Sequence, residues 1–322
     1  MKICFAVVMA WMALLMAGPV SAQAYPTRPV KIVVPYPPGG ATDTAARLMA
    51  QSLAEAFGQA FTVENKPGAG GMLALEQVAS ATPDGYTLLV PSTGPAAISP
   101  VLYKDRNFDP LTRLEAIIPF ASAPGIIVVR NGLKANNIKE LLALSASTPN
   151  GLTMASAGSG SFQHLLGVHF QNSVGVKWTH IPFKGSAPAL TEMAGDRVDV
   201  MVDVVPSAAP LIKGGRMRAL AVTTPRRSGQ LPDVPTLEEL GIKGYDKSGW
   251  HALFAPKGTP AEIINRINAV LNKALASPEM KLKLAAIGAD ADGGPPERLT
   301  ERMRAELREW AEVIRLSGAT VE

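Results

Sequence analysis

Cysteine is almost missing from the 322 residues: the one example, Cys4, lies in the apolar part of the N-terminal segment. If that segment is removed no thiol remains. Disulfides, cysteine nucleophiles and thiolate metal sites are then excluded, and packing must hold the fold together. Histidine is scarce too, with His164, His169, His180 and His251. No two of them have the three- or four-residue spacing that puts ligands on one helix face, which argues against a catalytic metal. No G-x-S-x-G elbow is present. Gly68-Ala69-Gly70-Gly71 and Gly158-Ser159-Gly160 both lack the third glycine of a dinucleotide fingerprint, and there is no G-x-x-x-x-G-K phosphate loop. Charge is also thin, at 18% of residues with a net +4. Loss of Lys2 would lower that to +3, and no basic cluster carries interleaved aromatics, so nucleic acid is not an expected partner. No apolar run reaches the roughly 20 residues of a membrane span.

Residues 1–24 read as a secretory signal: Lys2, an apolar stretch from Ile3 to Ala17, Gly18-Pro19, then small residues that allow cleavage after Ala22 or Ala24. The rest, within a chain that is 47% hydrophobic, suits one large or two medium globular domains. Strand and helix patterns alternate along it, which points to α/β architecture with mostly parallel sheets flanked by helices.

The segment from Val33 to Asp43, VVPYPPGGATD, organises the first half. It lies between the strand pattern Val30–Val34 and a helical pattern bearing Ala45, Leu48, Met49, Leu53 and Phe57 on one face. A helix begins with about four backbone N–H groups lacking internal partners and a partial positive charge, and Gly39 and Gly40 let a ligand come close to the backbone. Taken alone, Pro and Gly before a helix are also ordinary turn chemistry. Thr42 or Asp43 suits the N-cap. Two further strand ends in this half carry loop residues, at Asn65–Gly71 and at Pro91–Gly94, and ligands gather at carboxyl ends of strands in open α/β sheets.

Residues 96–116 show no regular pattern. Beyond them Ile117–Phe120 and Ile126–Val129 read as apolar pieces, a helix is expected at about 138–147, and a strand at 152–155 runs into Ser156-Ala157-Gly158-Ser159-Gly160-Ser161. A helix follows, with His164 in its first turn. Two anion-ready loops in two halves imply a cleft between them. Buried strand 198–202 ends at Asp203, and a helix is expected from about Ser207 to Lys213. Residues 224–249 read as a connection back to the first unit, and residues 296–317 as a helix with Leu299, Met303, Leu307, Trp310 and Ile314 turned inward. Asp43 and Asp203 serve equally well as partners for a ligand ammonium or as scaffold hydrogen-bond acceptors. No arginine lies in loops 35–43, 91–94 or 156–161, so a carboxylate there would rest on N–H groups, hydroxyls and waters.

Several longer motifs, YPTRPVKIVVPYPPGGATD at 25–43, VENKPGAGG at 63–71, PDGYTLL at 83–89, FKG at 183–185, RALAVTT at 218–224, LPDVPTLEELG at 231–241 and APKGTP at 255–260, resemble the Bug-type receptors of tripartite tricarboxylate transport systems. The resemblance spans nearly all of the chain after residue 24. It implies a two-domain periplasmic binding protein of the Venus-flytrap kind, with residues 25–123 and 246–322 forming one domain and 124–245 the other. It also implies a small organic carboxylate ligand (an amino acid, an aromatic acid, or a di- or tricarboxylate), no cofactor, a monomer, and delivery to a permease of one large and one small subunit.

The ligand-binding residues implied position by position are Tyr36, Gly39, Gly40, Ala41, Thr42, Asp43, Ser92 and Thr93 on one side. Ser156, Ala157, Gly158, Ser159, Gly160, Ser161, His164, Lys184, Gly185 and Asp203 stand on the other. The competing readings are a sensor partner that docks on a signalling receptor, and a periplasmic hydrolase or isomerase using Asp43, Asp203 or His164.

Overall fold

The computed structural model describes residues 25–243 and 245–320. The expected signal segment, with Cys4, lies outside them. β1, Val30–Val34, is almost wholly buried and leads through the Pro/Gly loop into α1, Ala41–Phe57, which stops at Gly58 in the left-handed region (φ 67°). β2, Phe61–Asn65, and β3, Thr87–Leu89, flank β1 in parallel, with α2, Met72–Ala79, between them in sequence. The sequence showed no pattern over residues 96–116; helical turns fill most of that stretch, at Gly94–Ile98, Ser99–Leu102, Lys104–Arg106 and Pro110–Arg113.

β4 is the spine. It runs unbroken from Leu114 to Arg130, where the sequence suggested two separate pieces. Pro119 and Pro124 interrupt the apolar run and cannot donate to a ladder, and the register with β9, Ser248–Pro256, shifts between Pro119 and Ala121 to absorb the first of them. Through Pro124 the strand pairs antiparallel with β9. From Gly125 onward it pairs with β7, Val200–Val204, and with β8, Met217–Val222.

β5, Thr153–Ser156, and β6, Thr179–Pro182, complete that side in parallel with each other, so the strand order is β2-β1-β3-β9-β4-β7-β5-β6. The result is a mixed α/β protein of two domains that share one long strand, β4. α3, Ile138–Ser147, α4, Phe162–Val174, α5, Ser186–Ala194, and α6, Val205–Lys213, cover the second sheet region. α7, Ala261–Ala276, and α8, Pro278–Ala286, lead to a short β10, Asp290–Ala291, and to α9, Pro296–Ser317. No described helix is long and apolar enough to cross a membrane.

α9 joins the two regions. Its inward stripe includes Leu299, Met303, Trp310 and Ile314, all buried, and Trp310 stands edge-on to Phe162 of α4 with ring centroids 5.8 Å apart. Truncation there removes a large buried ring that the two helices cannot close over. Trp310→Ala is expected to lower the free energy of unfolding by about 3–5 kcal/mol, measured by urea denaturation. A loss under about 1 kcal/mol would show that this contact does not hold the two regions together.

Candidate ligand-binding cleft

A cavity of about 620 Å³ opens between the β1–α1 loop on one side and the β5–α4 loop on the other. Both loops read from the sequence reach it. Tyr36, Ala41, Ser92 and Thr93 line it from the first domain, and Ala157, Gly158, Ser159, Gly160 and Ser161 from the second.

Three helices point their first turns at this space. α1 has Gly40 at its N-cap with no side chain capping it, and its first backbone closure is Thr44 N–H to Gly40 C=O, 2.9 Å. The N–H groups of Ala41, Thr42 and Asp43 therefore have no intrahelical partner. α4 starts after Ser161, whose hydroxyl accepts the His164 N–H at 3.2 Å, leaving those of Phe162 and Gln163 in its first turn. α6 starts after Val204 without a side-chain cap, and Val204, Pro206 and Ser207 stand on the cavity wall.

Hydroxyls add to these donors. Tyr36 Oη and Ser92 Oγ are 2.6 Å apart, so one hydroxyl proton joins them and the other is left to donate elsewhere. Burial pushes the Tyr36 pKa up to about 12, against the lowering effect of Ser92, so the phenol stays protonated. Thr93 Oγ1 accepts the Trp250 N–H at 2.9 Å and keeps its own proton.

Nine of the residues implied by the sequence stand off the cavity wall, for identifiable reasons. Gly39 and Gly40 are exposed at the loop crest, and the Gly39 N–H is engaged by Asp43 Oδ2 at 2.9 Å. Asp43 is buried and saturated: Arg47 reaches both its oxygens at 3.0 Å, and Asn65 Nδ2 donates to Oδ1 at 2.9 Å while also holding the Tyr36 carbonyl at 3.0 Å. Burial alone would raise its pKa, but the bonds from Arg47, Gly39 and Asn65 prevail and hold it below the usual carboxylate value. Asp43 thus braces the loop from behind. Thr42 is buried and its Oγ1 meets His251 Nε2 at 3.0 Å.

Asp203 is fully buried at the end of β7. Its Oδ1 accepts from the Val204 N–H at 2.8 Å, Ser186 Oγ at 3.1 Å and Gln163 Nε2 at 3.2 Å, and Oδ2 has no partner among the described residues. Burial raises its pKa to about 6 despite those bonds. Ser156 is buried and holds His180 Nε2 at 2.6 Å, while His164 accepts the Gly160 N–H on Nδ1 at 3.1 Å. The rings of His164 and His180 stack 3.8 Å apart, 10° from parallel, beneath the Ser/Gly loop. Lys184 is exposed on the β6–α5 loop, and Gly185 caps α5 with φ 113°.

Sequence reasoning left out a second group of wall residues. Pro67, Gly68, Gly70 and Gly71 follow β2, Ile98, Ser99, Leu102 and Tyr103 come from the segment without a pattern, and Gly249, Trp250 and His251 belong to β9. The glycine loop after β2 was a visible signal. The β9 residues were not, because a buried apolar strand carries no mark of a ligand.

Two crossings of the cleft are tight. A Cβ on Gly160 (φ 72°) would come within 2.8 Å of Leu102 Cδ1, and one on Gly288 (φ 79°) would run into Pro206. These glycines let the two sides approach closely.

The model of the TctC family, the tripartite tricarboxylate transporter family receptor, matches residues 45–318. The chain belongs to this family. The protein BugT of Bordetella pertussis is 36% identical over 307 residues, covering 95% of this chain and 94% of that one. Among solved structures, Rpa4515 of R. palustris with adipate is 35% identical with a TM-score of 0.78, covering 92% of this chain and 99% of that one. MatC of Rhodopseudomonas palustris with bound malate is 32% identical with a TM-score of 0.74, covering 90% and 100%. The TctC family is one of solute-binding receptors.

The histidines beneath the TctC cleft set a pH dependence. Burial and the neighbouring His180 push the His164 pKa down to about 4 from the ordinary 6.5, and burial does the same to His251. Between pH 4 and 6.5 the unfolded chain then binds protons that the folded chain does not, so stability falls as pH drops through that window. Asp203, raised to about 6, works in the opposite direction. His164→Asn keeps an acceptor for the Gly160 N–H and removes one titration. It is expected to reduce the stability lost between pH 6.5 and 4 by roughly 3 kcal/mol, read from urea unfolding at both pH values. Equal losses in both proteins would contradict the burial of a neutral imidazole.

Proposed function

We propose that the chain is a periplasmic solute receptor that closes on a small organic carboxylate between its two domains and hands it to a tripartite permease unchanged. The observation that carries this reading is the convergence of the first turns of α1, α4 and α6, with the Tyr36, Ser92 and Thr93 hydroxyls, on one cavity. Such a set binds a carboxylate through partial charges and hydrogen bonds, and offers no group placed to attack it. The adipate and malate seen in relatives of 35% and 32% identity support the same ligand chemistry.

In this reading residues 25–123 and 246–322 form one domain and 124–245 the other. The change of partners along β4 at Gly125 supports the division. Tyr36, Ala41, Ser92, Thr93 and residues 157–161 touch the ligand, while Asp43, Asp203 and His164 hold the loops. The chain acts as a monomer after removal of its signal, and its permease has one large and one small subunit. The hydrolase reading loses ground because Asp43 is saturated and Asp203 is sealed away from the cavity.

Thermal unfolding against a panel of organic acids tests the proposal. At one hundred times the dissociation constant, a ligand of the folded state alone adds about 2.7 kcal/mol, which raises Tm by several degrees. The acid should be recovered unchanged. Stabilisation by neutral solutes and by no acid, or conversion of the acid, would contradict the reading.

A further inference from the structure

Outside the ligand cleft, one hollow combines an apolar floor with arginines that hold no carboxylate. It is a groove of about 370 Å³ between α9 and the helical turns at Ser99–Leu102 and Pro110–Arg113. Val101, Phe108, Pro110, Leu111 and Leu307 line its floor. Arg304 and Arg308 stand at its edge, exposed and four positions apart, so they share one face of α9. Among the described residues neither makes an ion pair. The remaining arginines of α9 all do: Arg298 with Asp292, Arg302 with Glu306 and Arg315 with Glu312. The acid on the groove wall, Asp109, accepts the Leu111 N–H at 2.9 Å and pairs with neither guanidinium. A further exposed cation, Arg113, lies 5.7 Å from the centre of the Phe108 ring.

The unpaired cations call for carboxylates, and the floor for apolar side chains. An anionic bilayer supplies charge but no side chain to fill the groove. Exposed Glu301 and Glu312 on the same helix also interrupt the broad cationic face that such a bilayer attracts. An acidic protein segment meets both needs.

The groove also lies directly behind the ligand cavity. Within the turn Ser99–Leu102, Pro100 and Val101 face the groove while Ser99 and Leu102 line the cavity. Leu102 is the residue that meets Gly160 across the cleft. A partner seated in the groove is therefore one helical turn from the contact at which the two sides come together.

We propose that this groove is a docking face for the permease, which sets an apolar side chain on the floor and carboxylates against Arg304 and Arg308. The inference rests on the receptor reading, since it takes a permease as the partner.

Reversing both charges, Arg304→Glu with Arg308→Glu, tests it in membrane vesicles that contain the permease, using an acid that stabilises the unmodified receptor in thermal unfolding. Stabilisation by that acid is expected to be unchanged in the variant. Uptake at limiting receptor is expected to fall at least tenfold, because attraction at two contacts becomes repulsion. Lysine at both positions should keep most of the uptake. Lys134→Glu with Lys139→Glu makes the same change of charge at exposed residues near the start of α3, and should leave uptake as it was.

Full uptake by the Arg304/Arg308 variant, or an equal loss in the Lys134/Lys139 variant, would overturn the docking face and leave the receptor reading standing. Loss of acid binding in the variant would overturn it too, by assigning the arginines to the cleft. Receptor that binds protein-free anionic vesicles as tightly as permease vesicles would assign them to lipid instead. A receptor that binds an acid but drives no uptake would end both delivery and docking, and one that binds no acid would end the receptor reading with them.

Discussion

Unpaired N–H groups at the start of a helix must find a partner, and here three helices bring that need to one uncharged cavity. In open solvent water would satisfy them. In the proposed reading a carboxylate oxygen becomes the better acceptor in the space flanked by Pro35, Pro95 and Phe162, because the donors are fixed in place and the local dielectric is low. The first turn of α1 can serve this way only because its cap is glycine, so that no side chain occupies the donors in advance. Ser161 does cap α4, but it engages the His164 N–H and leaves the two before it.

Charged residues support this arrangement from outside the cavity. Asp43 ties Gly39, Arg47 and Asn65 into one cluster, and Asn65 reaches on to the Tyr36 carbonyl, so the loop is held before any ligand arrives. Asp203 does the same for Gln163, Ser186 and the entry to α6. A preorganised loop loses less conformational freedom on binding, which leaves more of each weak hydrogen bond to appear as affinity. Gly160 against Leu102 and Gly288 against Pro206 let the two sides meet closely, and β4 runs through both.

Much of the fold was legible because its signals are local. The strand at Val30–Val34, the amphipathic helix after it, and the hydroxyl-rich loop at 156–161 each announce themselves within a dozen residues. The tripartite receptor family was legible from motifs long enough to be specific. What stayed hidden depends on distance in sequence. His164 and His180 stack although 16 positions separate them, and Trp250 and His251 reach the cavity from a strand whose pattern reads only as core. β4 looked like two pieces because Pro119 and Pro124 break its pattern, and only its partner strands reveal one continuous element. Asp43 and Asp203 could be recognised as polar residues at strand–loop–helix junctions. Their engagement by Asn65, Gln163 and Ser186 could not be read from sequence.

The central claim concerns backbone amides, so they are the groups to observe. Amide proton and nitrogen chemical shifts of the labelled protein, recorded while a bound carboxylic acid is titrated in, report each donor separately. The account predicts the largest downfield proton shifts at Ala41, Thr42, Phe162 and Gln163, with protection from solvent exchange. Shifts confined to other residues, or a bound acid that leaves these four amides unchanged, would contradict it.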